Sequence, residues 1–353
     1  CRNRIYNFYG FNSDAIDIGE EAKEVIVDSN IIYNISDKGI SIGGSSTAEI
    51  KRNVIANCSQ GVGIKDYGSY GYIEHNSFYA NQYGIACFEK NIGCGGGSAD
   101  VVNCIFANSR SSAVFTDRLS DANVSFSLSN TDVPDGLHNL TGDPLFLNNF
   151  YLAENSPAIN SGNPSMPDDP DGSPPDMGAY PFDQENQLNL IISEIHYNPA
   201  EGENNQFIEI VNNGLSAENI NGFRLTGNID YTFSDETISA GEIFLVAGDM
   251  NVYEGQGYKV FQWESGDLQD MPGSILLQNS EGEIIDFVDY NSRYWWPGEP
   301  DGQGPSLELH NTGLENMVAS HWRSSYNDGG TPGKSNSSVT IAGIYINEFL
   351  AGN

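Results

Sequence analysis

The sequence predicts an all-β protein built in two architectures, a solenoid of stacked short strands followed by a two-layer sandwich. Three observations carry this. One short phrase is written five times between Asp14 and Thr116, no segment there keeps a helical period, and from Leu188 onward longer alternating strands separated by Gly and Asn turns replace the repeat.

The repeat reads AlaIleAspIle at 15–18, GlyIleSerIle at 39–42, GlyValGlyIle at 61–64, GlyIleAlaCys at 84–87 and AlaValPheThr at 113–116. Residues two apart are apolar, so one face of each strand points inward. Coils that stack in register would place Ile16, Ile40, Val62, Ile85 and Val114 in one column. With each coil adding one strand spacing of roughly 4.8 Å, backbone donors pair with the neighbouring coil and a core forms without a helix. Each phrase is followed by an Asn at Asn30, Asn53, Asn76 and Asn103, and then by a turn Asn at Asn34, Asn57, Asn81 and Asn108. Stacked Asn side chains can hydrogen-bond along the axis, and Asn tolerates the left-handed conformation a coil corner demands. His75 lies beside this column and is expected to face solvent.

These phrases resemble the right-handed parallel β-helix family, in particular its secreted bacterial members. The resemblance implies a right-handed parallel β-helix solenoid over residues 1–183. IleTyrAsnPhe at 5–8 already matches IleIleTyrAsn at 31–34, and no cap precedes it. A bare coil end exposes unpaired strand edges, so the natural protein is expected to extend further toward its N-terminus.

Composition limits the partners. With 48 acidic against 15 basic residues among 353, the formal net charge is −33. Such a surface repels nucleic-acid phosphates and anionic membranes, so no nucleic acid is expected as a partner, and it attracts divalent cations. The same charge also serves solubility outside the cell. No apolar run reaches membrane-spanning length, so no membrane insertion is expected of this fragment.

All five cysteines, Cys1, Cys58, Cys87, Cys94 and Cys104, fall within the solenoid. None has CxxC spacing, which argues against zinc. Cys87 and Cys94 bracket a Gly-rich excursion that stretches the Asn76-to-Asn103 interval to 27 residues. Two readings stand: a small disulfide loop, or free thiols filling the column.

After Thr116 the coils become irregular. GlyAspProLeuPhe at 142–146, the stretch 151–162, AspProAspGly at 169–172 and AspMetGlyAlaTyr at 176–180 resemble the segment that closes the C-terminal end of bacterial β-helices. Asp169, Asp171 and Asp176 are the candidate calcium ligands, because a D-x-D-G turn presents carboxylates and a carbonyl close together. Asp, Pro and Gly are equally the residues of any tight turn.

Residues 184–187 read as a linker. LeuIleIleSerGluIleHisTyrAsnPro at 190–199, PheIleGluIleValAsn at 207–212, GlyGluIleIleAspPheValAspTyr at 282–290, TrpTrpProGly at 295–298, GlyProSerLeuGluLeu at 304–309 and GlyThrProGly at 330–333 follow in order. Together they resemble the lamin tail domain, which implies an immunoglobulin-like β-sandwich over 188–334. Alternation within the strands and the spacing of turns agree with a sandwich. Tyr294, Trp295 and Trp296 suit either a sugar-stacking platform or core packing. GlyThrProGlyLysSer at 330–335 falls short of a phosphate-binding loop, for Asp328 stands where the first Gly is required. Residues 335–343 read as a second linker. At 344–351 the strand pattern of 190–197 returns, with Glu348 matching Glu194, so 344–353 is expected to begin a further lamin-tail-like domain.

For chemistry, the β-helix family includes polysaccharide lyases, which need a cation or Arg for a uronate carboxylate and a base for the adjacent proton. The candidate catalytic set is Lys65 as base with Asp66, Asp37 and Lys38, alongside Asp14 and Asp17 on earlier coils, and with Ca2+ on the carboxylates. Charged residues flanking a strand are also ordinary solvated corners. HExxH and GxSxG are absent and the five His are scattered singly. The expected function is therefore a non-catalytic piece of a large secreted or cell-surface bacterial protein, acting as spacer, adhesive or carbohydrate-binding module with polysaccharide or other cell-surface proteins as partners. A calcium-assisted lyase is the first alternative. An extracellular filament joined by strand addition through 344–350 is the second.

Overall fold

The computed structural model describes residues 3–183, 188–270 and 272–337. The strand expected at 344–351, the linker at 184–187 and most of the linker at 335–343 lie outside them. The chain divides into two compact units with the main boundary between Leu190 and Ile191.

The first unit is a stack of parallel strands in two sheets. A ten-stranded sheet contains Arg4–Phe8, Ile31–Ile42, Val54–Lys65, Ser77–Tyr79, Ile105–Ala107, Leu128–Ser129 and Leu140–Thr141, with Ile16–Ile18, Tyr83–Phe88 and Ser112–Thr116 attached. A six-stranded sheet runs Gly136–Leu137, Asp121–Ser125, Ser98–Val102, Tyr70–Glu74, Thr47–Lys51 and Val25–Asp28. The predicted column is present residue by residue: Ile16 pairs Ile40, Ile40 pairs Val62, Val62 pairs Ile85 and Ile85 pairs Val114. Beside it Ile18, Ile42, Ile64 and Cys87 form a second inward column. Nearly all these side chains are buried in one cluster, so burial of about 25 cal/mol per Å2 of apolar surface supplies the stacking force.

The Asn column is present with one correction. Asn53 Oδ1 accepts the Asn30 N–H at 2.9 Å, and Asn76 Oδ1 accepts the Asn53 N–H at 2.9 Å. The next position is not Asn103 but Cys104, whose Sγ lies 3.5 Å from the Asn76 nitrogen, followed by Ser127 and Asn139. The physical reason is the corner. Ser29, Arg52 and His75 each take positive φ immediately before a column residue, and Asn103, at φ 53°, takes that corner place itself. Its side chain is thereby turned out of the column. At the other corner Asn34, Asn57 and Asn108 adopt φ of 56°, 51° and 55° as expected, whereas Ala80 rather than Asn81 makes the turn in its coil.

The segment after Thr141 packs on the last coils, with Leu152, Ala158 and Met177 against Ile105 and Leu128. It also runs back along the stack. The Gly178 N–H donates to the Asn103 carbonyl at 2.8 Å, and the Ala179 N–H donates to Ser77 Oγ at 3.0 Å.

The second unit has a six-stranded sheet ordered Lys259–Gln262, Ile243–Ala247, Phe207–Asn212, Leu190–His196, Pro305–Leu309 and Trp322–Asp328. A five-stranded sheet of Ser265–Gly266, Ile229–Thr232, Arg224–Gly227, Gly273–Gln278 and Ile284–Tyr290 accompanies it. Aromatic side chains fill much of the interior: Tyr197 stacks on Tyr290 at 4.8 Å, and Phe233 meets Phe244 edge-on at 5.8 Å.

Candidate functional site

The outward face of the larger solenoid sheet carries the proposed catalytic set. Because Ile16 and Ile18 point inward, Asp17 between them points outward, in register with Ser41, Gly63 and Ala86. Lys38 and Lys65 lie flat on this face. A methyl group at Gly63 would come within 2.7 Å of Lys38 Cδ, and one at Gly43 within 3.0 Å of Lys65 Cε. The repeated glycines therefore make room for lysine stems, and both lysines are buried despite their charge. Lys38 Nζ sits 2.7 Å from Asp37 Oδ1 and 3.2 Å from Asp14 Oδ1. Lys65 Nζ has a looser partner, Asp17 Oδ1 at 3.8 Å. Burial lowers its pKa, against the opposing pull of Asp17.

Asp66 does not join this group. Its Oδ1 accepts the N–H groups of Lys90 and Asn91 at 2.7 and 2.9 Å, and Oδ2 accepts from Asn91 Nδ2. It anchors the Gly-rich excursion, so only Lys65, Lys38 and Asp37, with Asp14 and Asp17, share a face.

Asp169, Asp171 and Asp176 serve different masters. Asp176 is buried, with Oδ1 accepting the Asn160 N–H and Oδ2 the Phe182 N–H, each at 2.6 Å. Asp169 Oδ2 accepts the Asp176 N–H at 2.8 Å, while Asp171 is exposed and accepts from the Ser173 N–H. Among the described residues no three His, Cys, Asp or Glu side chains are grouped so as to hold a metal ion. Burial, with Asp176 next to it, pushes Asp169 up to about 6. This turn borders a cleft of about 290 Å3 with Arg52, Glu74, His75 and Met166 on its wall. His75 is half-buried in that wall rather than fully exposed. Its Nε2 lies 2.9 Å from Asn103 Nδ2, and burial first, then the Arg52 charge, holds the imidazole down at about 4, hence neutral.

Cys87 and Cys94 are free thiols, not a disulfide. Cys87 points into the core column opposite Ile64, and Cys94 sits exposed on the excursion. Cys58 and Cys104 are likewise buried and free, and burial pushes all three interior thiols up to about 12. The three aromatics divide: Trp296 is buried beside Trp322 at 6.1 Å, while Tyr294 and Trp295 reach the surface.

Sequence reasoning missed a cluster in the sandwich. Glu194, Glu209 and Glu308 are all buried, on three neighbouring strands. Glu194 and Glu308 stand directly opposite each other. The segment 331–337 supplies their partners: the Thr331 N–H donates to Glu194 Oε1 at 2.9 Å, the Gly333 N–H to Glu209 Oε2 at 2.9 Å, and the Ser337 N–H to Glu308 Oε2 at 3.2 Å. The backbone donors that a phosphate would need at this glycine turn are thus taken by carboxylates. The available signal was an acidic residue at the centre of each apolar strand, in IleSerGluIle, PheIleGluIle and SerLeuGluLeu. Burial of an unpaired carboxylate is costly, so an acid in that setting points to a specific partner.

A family model described as right handed beta helix region matches residues 2–151, and one described as lamin tail domain matches residues 183–292. No curated protein matches the chain.

Proposed function

We propose that this chain, a right-handed β-helix region followed by a lamin tail domain, is a non-catalytic structural and adhesive piece of a large secreted or cell-surface bacterial protein. The observation that supports this most is where the candidate chemical groups spend their hydrogen bonds. Asp66 holds its own excursion, Asp176 holds its own closing segment, and three sandwich glutamates hold their own turn. These groups rigidify the modules instead of converging on open space. Partners of a spacer with this charge are neutral or cationic polymers and other surface proteins.

A second reading, a lyase for acidic polysaccharide, rests on Lys65. Its buried ammonium has a lowered proton affinity and only a loose carboxylate partner, as a general base requires. The two readings separate when the chain is incubated with acidic and neutral polysaccharides, with and without calcium, following binding and the ultraviolet absorbance of unsaturated products. Binding without product supports the adhesive reading. Absorbance that grows with the wild type and vanishes in Lys65→Ala makes the β-helix a lyase.

A further inference from the structure

The three buried glutamates of the sandwich pose a problem of proton counting. Thr331 Oγ1 lies 2.9 Å from Glu194 Oε2 and 2.8 Å from Glu308 Oε1. A hydroxyl has one proton and can donate to only one of them. The other short contact is a hydrogen bond only if that carboxyl carries a proton of its own. If both were ionised, two lone pairs would face each other across a buried gap.

The surroundings decide which carboxyl is protonated. Arg323 Nε stands 3.5 Å from Glu308 Oε2, and the Ser337 hydroxyl donates to Glu308 Oε1 at 3.0 Å. Glu194 Oε1 accepts the Ser306 hydroxyl at 2.5 Å and the Thr331 N–H, but among the described residues no cation approaches within salt-bridge distance. Glu209 accepts the Ser193 hydroxyl at 2.8 Å and the Gly333 N–H. Other titratable groups around the segment among the described residues include Tyr258, whose ring lies where a side chain at Gly333 would be, Tyr253, His310 and His196 on flanking elements with Glu201 beside them, Asp328 just before the segment, and Lys334 exposed on the segment itself. Arg323 thus stands beside Glu308 and not beside Glu194, so the shared proton is assigned to Glu194.

The seated segment is also a structural insert. Asn336 Nδ2 donates to the Ser193 carbonyl at 2.9 Å and to the Leu309 carbonyl at 2.8 Å, bridging two strands beyond the point where their own ladder, Glu194 with Glu308 and Ile195 with Leu307, ends. A side chain at Gly330 would come within 1.9 Å of Glu194 Oε1, so the turn sits directly on that carboxyl.

We propose that Gly330–Ser337 is a proton-gated clasp: a single proton on Glu194 Oε2, donated to Thr331 Oγ1 while that hydroxyl donates to Glu308, keeps the segment seated, and its loss at mildly alkaline pH loosens it. Burial and the neighbouring Glu308 raise Glu194 to about 7, in keeping with a retained proton, and burial raises Glu209 well above its ordinary range as well.

The test is hydrogen exchange of 330–337 in the full chain, read by mass spectrometry at pH 5.5 and 8.5 and corrected for the intrinsic pH dependence of exchange. A carboxyl titrating near 7 when seated and near its ordinary value when released makes opening about 30-fold more frequent at pH 8.5. Glu194→Gln places a permanent N–H donor where the proton sits, so its protection should become independent of pH. Equal wild-type protection at both pH values overturns the clasp, as does a Glu194→Gln protein with the wild-type pH dependence. If that variant does not fold, the carboxyl carbon signals of 13C-labelled glutamate in the wild type decide. A signal assigned to Glu194 that titrates near 7 upholds the proposal, and one that titrates below 5 overturns it.

Discussion

The backbone N–H of Asn163 donates to the side-chain carbonyl of Asn103 at 2.7 Å, across sixty residues of chain. Asn103 Nδ2 meanwhile faces His75 Nε2 at 2.9 Å and Met166 Sδ at 3.4 Å. An asparagine one position out of the column thus latches the closing segment to the side of the coils. Asn103→Ala leaves the Asn163 N–H without its acceptor and is expected to cost about 1–3 kcal/mol. The sharper readout is local: limited proteolysis between 160 and 176 should accelerate while the coils resist, and equal cleavage rates would refute the latch.

Asn53 sits in the middle of the buried column. Its Nδ2 donates to the Val27 and Lys51 carbonyls and to Asn76 Oδ1, and its Oδ1 accepts the Asn30 N–H. Asn53→Ala should cost about 3 kcal/mol or more, since several buried groups lose partners together. Asn108 and Asn130 make the same kind of exchange at the surface, and Asn130→Ala should cost under about 1 kcal/mol because water replaces what is lost. Chemical-denaturation midpoints of the two variants give the comparison; similar losses would show that the column adds nothing beyond local pairing.

Thiol chemistry should sort the cysteines by position. Cys94 is exposed, whereas Cys58, Cys87 and Cys104 are fully buried and carry thiols pushed up to about 12. Iodoacetamide on the native protein at pH 8, followed by peptide mapping, should label Cys94 and spare those three until denaturant is added. Rapid native labelling of Cys87 would mean that its coil opens.

Two groups of the sandwich pull stability in opposite directions with pH. Glu194, raised from 4.5 to about 7, gives stability that is complete below about 4.5 and lost as pH rises through 7. His196, lowered from 6.5 to about 4 chiefly by burial, gives stability that is present above 6.5 and lost as pH falls toward 4. The net profile between pH 4 and 7 is therefore flattened, and a variant must separate the terms. The stability of the wild type minus that of Glu194→Gln should fall by about 2–3 kcal/mol between pH 5 and 8, from 1.36 kcal/mol per pKa unit. Denaturation at pH 5, 6.5 and 8 measures it, and a difference constant across that range would remove Glu194 from the account.

Local sequence determined the stacking itself. Alternation in GlyIleSerIle and GlyValGlyIle selects an inward face with a period of two, and a repeat near coil length forces equivalent residues into register, so the column from Ile16 to Val114 followed without coordinates. Alternation with Gly and Asn turns likewise announced the sandwich. Tertiary structure alone decided the placement of groups whose meaning depends on partners far along the chain. A corner shift of one residue, invisible in spacing because Asn103 is itself an Asn, moved it from column to latch. Cys87 and Cys94 look like neighbours in sequence, yet the strand sends one inward and the excursion carries the other to the surface. Glu194, Glu209 and Glu308 are spread over more than a hundred residues and become one cluster only when three strands lie side by side. Periodicity is a local property of the backbone, whereas electrostatics and hydrogen-bond satisfaction depend on which distant groups share a dry interior.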